Sequence, residues 1–252
     1  MVTKIANNVL VYMENISKSF GPVRALKGVD FFVKHSEIVG LLGDNGAGKS
    51  TLIKILTGVI PPDTGSIYFE GKKINFNSPA EARRMGIETV YQEAGVVELL
   101  SVARNFFLGR EIVRKLGFLD YRRMYIECEK VLRNIGVQIH SPNMPAGVLS
   151  GGERQAINIG RAMYFKAKLL VLDEPTTALS VKETERILDF IQQVRDRTGV
   201  SIIFVTHNIS HVYRVADRFV ILDRGRKIAD MFKNEVTEKD IIEYLTEKTL
   251  RQ

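Results

Sequence analysis

An α/β fold built on a parallel sheet is what this sequence predicts, and three observations predict it. Short continuous apolar runs recur at residues 38–42, 169–172 and 202–205; strands buried on both faces read this way, whereas half-solvated strands alternate. Segments with helical apolar spacing lie between them. The first run passes through a glycine-rich turn directly into a helix, as expected of strand–helix alternation in parallel sheets.

The elements follow in order. Residues 9–14 alternate apolar and polar and read as a strand; residues 31–33 are a second extended segment. Residues 38–42 form a buried strand, and 49–57 a helix carried by Leu52, Ile55 and Leu56. Pro61-Pro62-Asp63-Thr64-Gly65 marks a turn, 66–69 is β-like ahead of a Glu70-Gly71 turn, and 87–91 is a short strand. The pattern then changes. From Ser101 to Phe165 the candidates are helices, at 102–108, 121–135 and 153–165, with a Pro- and Gly-marked loop at 141–147 before the last. This stretch reads as a helical insertion. The core resumes with 169–172, a helix at 181–197, a strand at 201–205, a short helix at 209–215, an extended pair at 219–222 and 227–232, and a helix at 238–246. No internal repeat or low-complexity tract interrupts it. The chain reads as one domain, 1–252, with the core at about 1–92 and 166–252 and the helical part at about 93–165.

Composition bounds the function. The chain has 252 residues, 45% hydrophobic and 26% charged, which excludes a disordered or collagen-like protein. The single cysteine, Cys128, excludes an intramolecular disulfide and fits a reducing compartment. No apolar run approaches the ~18 residues of a membrane span, and residues 1–15 lack a signal-peptide core. The net charge of +7 is compatible with nucleic acid, an acidic membrane surface or phosphates, and does not choose among them.

Two motifs carry chemistry. Gly43-Asp44-Asn45-Gly46-Ala47-Gly48-Lys49-Ser50 matches G-x-x-x-x-G-K-[ST] between a buried strand and a helix. Glycines allow a tight wrap that aims N–H groups at phosphate oxygens, and the helix start adds its positive dipole end. Lys49 is placed for the β- and γ-phosphates and the Ser50 hydroxyl for Mg²⁺, with Asn45, Ala47 and Thr51 completing the cradle. Kinases, GTPases and ATPases all use such a loop. The second motif is Leu169-Leu170-Val171-Leu172-Asp173-Glu174-Pro175, two carboxylates at the end of a buried strand. Ligands collect at that end of a parallel sheet. Asp173 is the candidate Mg²⁺ ligand and Glu174 the candidate group for orienting or deprotonating water.

Leu149-Ser150-Gly151-Gly152-Glu153-Arg154-Gln155 resembles the LSGGQ signature of ABC-type ATPases, and it lies shortly upstream of the acidic strand as it does there. A serine and two glycines at a helix start make a second anion cradle, and Ser150 also reads as a plain N-cap. The resemblance runs over about residues 10–248. It is closest to the ATP-binding subunits of bacterial carbohydrate importers of the ribose, xylose and fructose type, through Gly43-Asp44-Asn45-Gly46, Gly86-Ile87-Glu88-Thr89-Val90-Tyr91-Gln92, Leu100-Ser101-Val102, Phe107-Leu108-Gly109-Arg110-Glu111 and Thr206-His207-Asn208-Ile209.

That resemblance implies a P-loop NTPase with a RecA-like parallel core, an N-terminal antiparallel β subdomain and a helical insertion bearing the signature. It implies ATP and Mg²⁺, and a head-to-tail dimer in which Ser150, Gly151 and Gly152 complete the site of a second copy. By position, Gln92 resembles the Q-loop glutamine, a Mg²⁺ or water contact. His207 resembles the switch histidine that contacts the γ-phosphate. Phe20, with Val23 beside it, resembles the aromatic that stacks on adenine; plain core packing is the other use of Phe20. His35, His140 and His211 lack such context and read as surface or local residues. Ser180 stands where many members carry an aspartate that meets the partner subunit. It keeps hydrogen-bonding capacity but no charge.

The implied partners are a transmembrane permease, docking around residues 92–109, and a solute-binding protein, with the chain on the cytoplasmic face of the cell membrane and no nucleic acid. Val96, Val97, Leu99 and Leu100 suit a docking patch and equally core packing. The alternative is a soluble ABC ATPase acting on nucleic acid or ribosomes. Against it, only about 100 residues without sustained heptads separate the phosphate loop from the signature. The basic runs Arg110–Arg114–Lys115 and Arg122-Arg123 read as solvated faces. A kinase or GTPase is undercut by the signature and His207. With one phosphate loop, the chain is either a homodimerising subunit or half of a longer protein.

Overall fold

A computed structural model describes residues 8–91, 95–137 and 139–250, with the side chains of 247–250 left aside. Its first two strands, β1 (Val9–Phe20) and β2 (Val23–Lys34), form a hairpin far longer than the sequence pattern suggests. The reason is local. Alternation fails at Asn15, which takes a left-handed φ of 50° where the pairing slips out of register. Such a bulge sends polar residues to unexpected positions without ending the strand.

The chain continues through β3 (Ile38–Leu42), α1 (Lys49–Leu56), β4 (Thr64–Phe69), β5 (Lys72–Ile74), α2 (Pro79–Arg84), β6 (Ile87–Val90), α3 (Val102–Phe107) and α4 (Tyr121–Asn134). It then runs through α5 (Gly151–Tyr164), β7 (Leu169–Asp173), α6 (Val181–Thr198), β8 (Ser201–Val205), α7 (Ile209–Val215), β9 (Arg218–Asp223), β10 (Arg226–Phe232) and α8 (Glu238–Leu250). The sequence reading lacked β5 and α2, which are three and six residues long and too short for periodicity to register. It also began α5 two residues late, because glycines argue against helix; Ser150 caps a helix whose first turn is Gly151-Gly152.

The strands form two sheets. One is antiparallel, in the order β2-β1-β4-β5; the other runs β10-β9-β3-β8-β7-β6, parallel except for the edge strand β10. The apolar runs of the central strands divide between two cores by simple alternation. Val39, Leu41, Val171, Ile203, Val205, Val220 and Leu222 face the antiparallel sheet and α1. Leu42, Leu170, Leu172, Ile202, Phe204, Phe219 and Ile221 face the helical side, with Phe106, Met124, Leu132 and Ile159 in the same cluster. Period-two alternation in a strand buried on both sides accounts for the unbroken apolar runs.

One buried charge ties the sheets together. Arg218 on β9 is fully buried, pairs with Glu37 at 2.8 Å and Asp230 at 2.6 Å, donates to the Phe32 carbonyl at 2.6 Å and lies 3.8 Å over the Phe32 ring. A buried guanidinium is tolerated only with this many partners. The result fixes β2 against the core, and so fixes where the β1–β2 turn projects.

Candidate functional site

The loop between β3 and α1 wraps because two of its glycines adopt conformations no other residue could. Gly43 has φ 140°, and a Cβ there would lie 2.2 Å from the Leu222 carbonyl oxygen. Gly48, with φ 108°, is the N-cap of α1, and its Cβ would lie 2.7 Å from the Ala25 carbonyl oxygen. Because Gly48 carries no side chain, nothing of its own caps the first amides of α1. Those amides are the donors that an anion takes up. Asn45, Gly46 and Ser50 are exposed, Thr51 partly so, and Ala47 is buried beneath them.

Lys49 is buried, and its ammonium donates to the Gly43 carbonyl at 2.5 Å and the Asp44 carbonyl at 3.1 Å. The cation thus braces its own loop. Burial lowers its pKa, while Glu174, Asp44 and Asp173 pull it back up. Asp173, at the end of β7, has its pKa raised by burial and by the neighbouring Glu174 charge, with Lys49 and Lys54 opposing. These mutual effects place Lys49 and both acids in one electrostatic neighbourhood.

Glu174 sits just past β7 at a left-handed φ of 50°, a conformation uncommon outside glycine and asparagine. Its N–H donates to the Val205 carbonyl at 2.9 Å, which locks the turn onto β8. The carboxylate is held at both oxygens. Oε1 lies 2.8 Å from His207 Nδ1 and accepts the His207 N–H at 3.1 Å; Oε2 accepts the Thr206 hydroxyl at 3.0 Å. Glu174 is largely buried and His207 exposed. The two residues the sequence named separately, as base and as switch, are in direct contact. Behind them His211, read as a surface or local residue, is half-buried. Its Nδ1 lies 3.0 Å from the Thr176 hydroxyl and burial lowers its pKa.

Phe20 and Val23 flank the β1–β2 turn and are 49% and 63% exposed, which rules out the core-packing use of Phe20. Ala25 and Leu26, just past Val23, lie against Gly48, so the turn projects beside the phosphate loop. The Lys18 ammonium lies 5.9 Å from the Phe20 ring centre.

The signature is organised around a different partner. The Ser150 hydroxyl accepts the Glu153 N–H at 3.3 Å, and the Glu153 carboxylate accepts the Ser150 N–H at 2.8 Å. The Gly152 N–H points at Glu183 on α6, at 3.5 Å. Arg154 holds the preceding loop, donating to the carbonyls of Leu149 at 3.1 Å and Gly147 at 2.9 Å and pairing with Glu98 at 3.2 Å. Ser180 turns out to be the N-cap of α6, and its amide and hydroxyl donate to Glu183 at 3.0 and 2.7 Å. That is a reason for serine where many members of the resembled family carry aspartate.

The expected residues therefore fall into two groups. The loop 43–51, Asp173, Glu174 and His207 gather around the C-terminal ends of β3, β7 and β8, with Phe20 and Val23 on the turn whose β2 side meets the loop through Ala25; Ser150, Gly151, Gly152 and Ser180 gather where α5 and α6 begin. Gln92 lies outside the described residues. Val96 packs against the helical core while Leu99 is 93% exposed, so the apolar patch is divided between the two uses expected of it. Arg110, read as solvated, instead pairs with Glu88 at 2.7 Å and lies over Phe165. Sequence reasoning missed Thr206, Glu183 and Arg154. Glu183 was visible as the last residue of an S-x-x-E capping box; Thr206 had only its place before His207, and Arg154 had no local signal.

The donors present suit a magnesium ion that arrives with phosphate. Among the described residues no cluster of three His, Cys, Asp or Glu exists to hold a metal alone. The Ser50 hydroxyl is open at the first turn of α1, and Asp173 is a half-buried carboxylate kept beside Lys49. Mg²⁺ is commonly held by few protein oxygens, with phosphate and water completing its shell.

Comparison with known proteins agrees with this geometry. Residues 26–177 match the family model described as ABC transporter. The chain is 45% identical to the xylose/arabinose import ATP-binding protein XylG of Sulfolobus acidocaldarius, over 94% of each chain. It is 38% identical to the ribose import ATP-binding protein RbsA of Caldanaerobacter subterraneus over 96% of its own length, and spans 49% of that protein. A solved structure described as the ADP conformation of MJ1267, an ATP-binding cassette of an ABC transporter, overlays with a TM-score of 0.81 at 28% identity, covering 94% of this chain and 95% of that one. The chain belongs to the ABC transporter family, as an ATPase subunit.

Proposed function

We propose that this cassette hydrolyses MgATP to power a sugar importer, with two copies closing head to tail on two nucleotides. The observation that carries the reading is the junction of Glu174 and His207, 2.8 Å apart beside the Lys49 loop. Supporting it are the import ATP-binding relatives, named for xylose/arabinose and ribose. Glu174 orients a water and takes its proton as the water oxygen bonds to the γ-phosphorus and the bond to the ADP oxygen breaks. The loop amides and Lys49 stabilise charge on the phosphates where it develops. His207 holds the γ-phosphate side. Phe20 and Val23 receive adenine. When bound, Mg²⁺ neutralises phosphate charge; Ser50 and Asp173 would hold it, with Gln92 added by resemblance. Ser150, Gly151 and Gly152 supply the second cradle in trans, and Ser180 lies at that seam.

Residues 1–252 act as one cassette, the helical part at about 93–165 carrying the signature. No helix among the described residues is long and apolar enough to cross a membrane. A separate permease, joined by a solute-binding protein, supplies the pore, and the cassette works on the cytoplasmic face of the membrane beside it. Its contact lies around residues 92–109, where Leu99 stands exposed. The decisive variant is Glu174→Gln. ATP-induced dimers should accumulate in size-exclusion chromatography while turnover falls by about 10²–10⁴-fold. Undiminished hydrolysis would overturn the role of Glu174.

A further inference from the structure

A general base must be aimed as well as ionised, and a glutamate reaches its position through torsions of which the last is broad. What aims Glu174 is visible at the end of β8. Thr206 is completely buried, and its hydroxyl has two partners. It accepts the Asn208 backbone N–H at 3.0 Å and donates to Glu174 Oε2 at 3.0 Å. The direction of both bonds is fixed by chemistry: a backbone N–H only donates, and a carboxylate only accepts. The single hydroxyl proton has no choice but Oε2. Oε1 is thereby left toward His207.

We propose that Thr206 is a positioning residue for hydrolysis, one that selects which oxygen of Glu174 serves as the base and ties that choice to the loop beginning at His207. The inference rests on the reading of Glu174 as the base. The tie is continuous. Asn208, whose N–H sets the Thr206 hydroxyl, also caps α7 by accepting the His211 N–H at 3.1 Å, and His211 contacts Thr176 just beyond Glu174. A shift of the 207–208 backbone therefore reaches Glu174 through Thr206 rather than through His207 alone. A misaimed base costs turnover without touching the groups that hold the nucleotide.

The test uses the whole chain with Thr206→Val, which keeps the shape and removes the hydroxyl, and Thr206→Ser, which restores it. Thr206→Val should lower kcat about 10-fold, as loss of base alignment does, while KM and the dissociation constant for ATP, measured by calorimetry, stay within about twofold. Thr206→Ser should recover kcat to within about threefold. If Thr206→Val does not fold, Thr206→Ala takes its place in the same comparison. Wild-type kcat in the valine variant, a KM that moves with kcat, or a serine variant as slow as valine would each overturn the proposal. Glu174→Gln separates the two layers. If it turns over normally, the base assignment fails; if it is inactive while Thr206→Val is unimpaired, only the role of Thr206 fails.

Discussion

Two helices in this molecule begin on glycine-rich turns suited to anions, and they have been prepared in opposite ways. At α1 the cap is Gly48, no side chain caps the first amides, and the buried ammonium of Lys49 braces the loop before them. At α5 the cap is Ser150, the capping box is closed by Glu153, and Glu183 reaches across from α6 to the Gly152 N–H. The first start is open, its amides uncapped by any side chain. The second already holds its own carboxylates. Two motifs that look alike in sequence thus differ in what an incoming phosphate must do: enter at one, and displace or tolerate an acid at the other. That contrast fits a site whose first half binds alone and whose second half closes later.

The largest effect expected on this contrast between helix starts tests the open half. Lys49→Met removes the cation while keeping an unbranched side chain only one atom shorter. It should weaken ATP binding by the monomer and cut turnover by about 10²–10³-fold, the usual cost of losing one donor to developing charge. Calorimetry on the monomer reads the first and steady-state hydrolysis the second. A monomer that binds ATP normally without Lys49 would erase the distinction between the two helix starts.

Ser150→Ala probes the other half and should behave differently. Monomer affinity for ATP stays within about twofold, because the open cradle is intact. ATP-induced dimerisation weakens, and the melting transition drops by an amount corresponding to about 1 kcal/mol from the lost cap. Sedimentation and thermal melts separate the two. An affinity loss in the monomer as large as that of Lys49→Met would mean that both cradles serve one nucleotide within one chain.

The sequence disclosed the two halves unequally, for physical reasons. The phosphate loop, Asp173, Glu174 and His207 were legible because each follows a fully buried strand, and a strand buried on both faces announces itself as a continuous apolar run. The same logic found β3, β7 and β8 almost to the residue. The β1–β2 hairpin was largely hidden, since the bulge at Asn15 breaks the alternation on which strand recognition depends. The signature was recognised as a motif, but its surroundings were not. Glu183 and Thr206 act on residues 31 and 32 positions away, and pairing at that range is decided by which elements the fold brings together. Ser180 looked like a deviation from a family pattern; only its hydrogen bonds to Glu183 show it as the cap that α6 needs.

The smallest effect is the one that most directly measures the acid in the second cradle. Hydrogen bonds from the Ser180 hydroxyl and amide and the Gly152 amide depress the pKa of Glu183 from 4.5 to about 2. A depressed carboxylate stabilises the fold above its unfolded pKa, and that contribution disappears as pH falls through the folded value. The gap in melting temperature between wild type and Glu183→Gln should therefore be constant from pH 7 to about 5, shrink below about 4.5, and close near pH 2. A gap that persists unchanged in acid would show that the charge of Glu183 is irrelevant to its stabilising role, and no gap at pH 7 would show that the amide of glutamine replaces the carboxylate fully. At pH 7 the same variant has a second consequence. It takes a negative charge away from the Gly152 N–H, so the ATP concentration needed for dimerisation should fall, about twofold to fivefold for an exposed charge. If dimerisation instead becomes harder, Glu183 acts as the scaffold of the second cradle rather than as an occupant that the phosphate must displace.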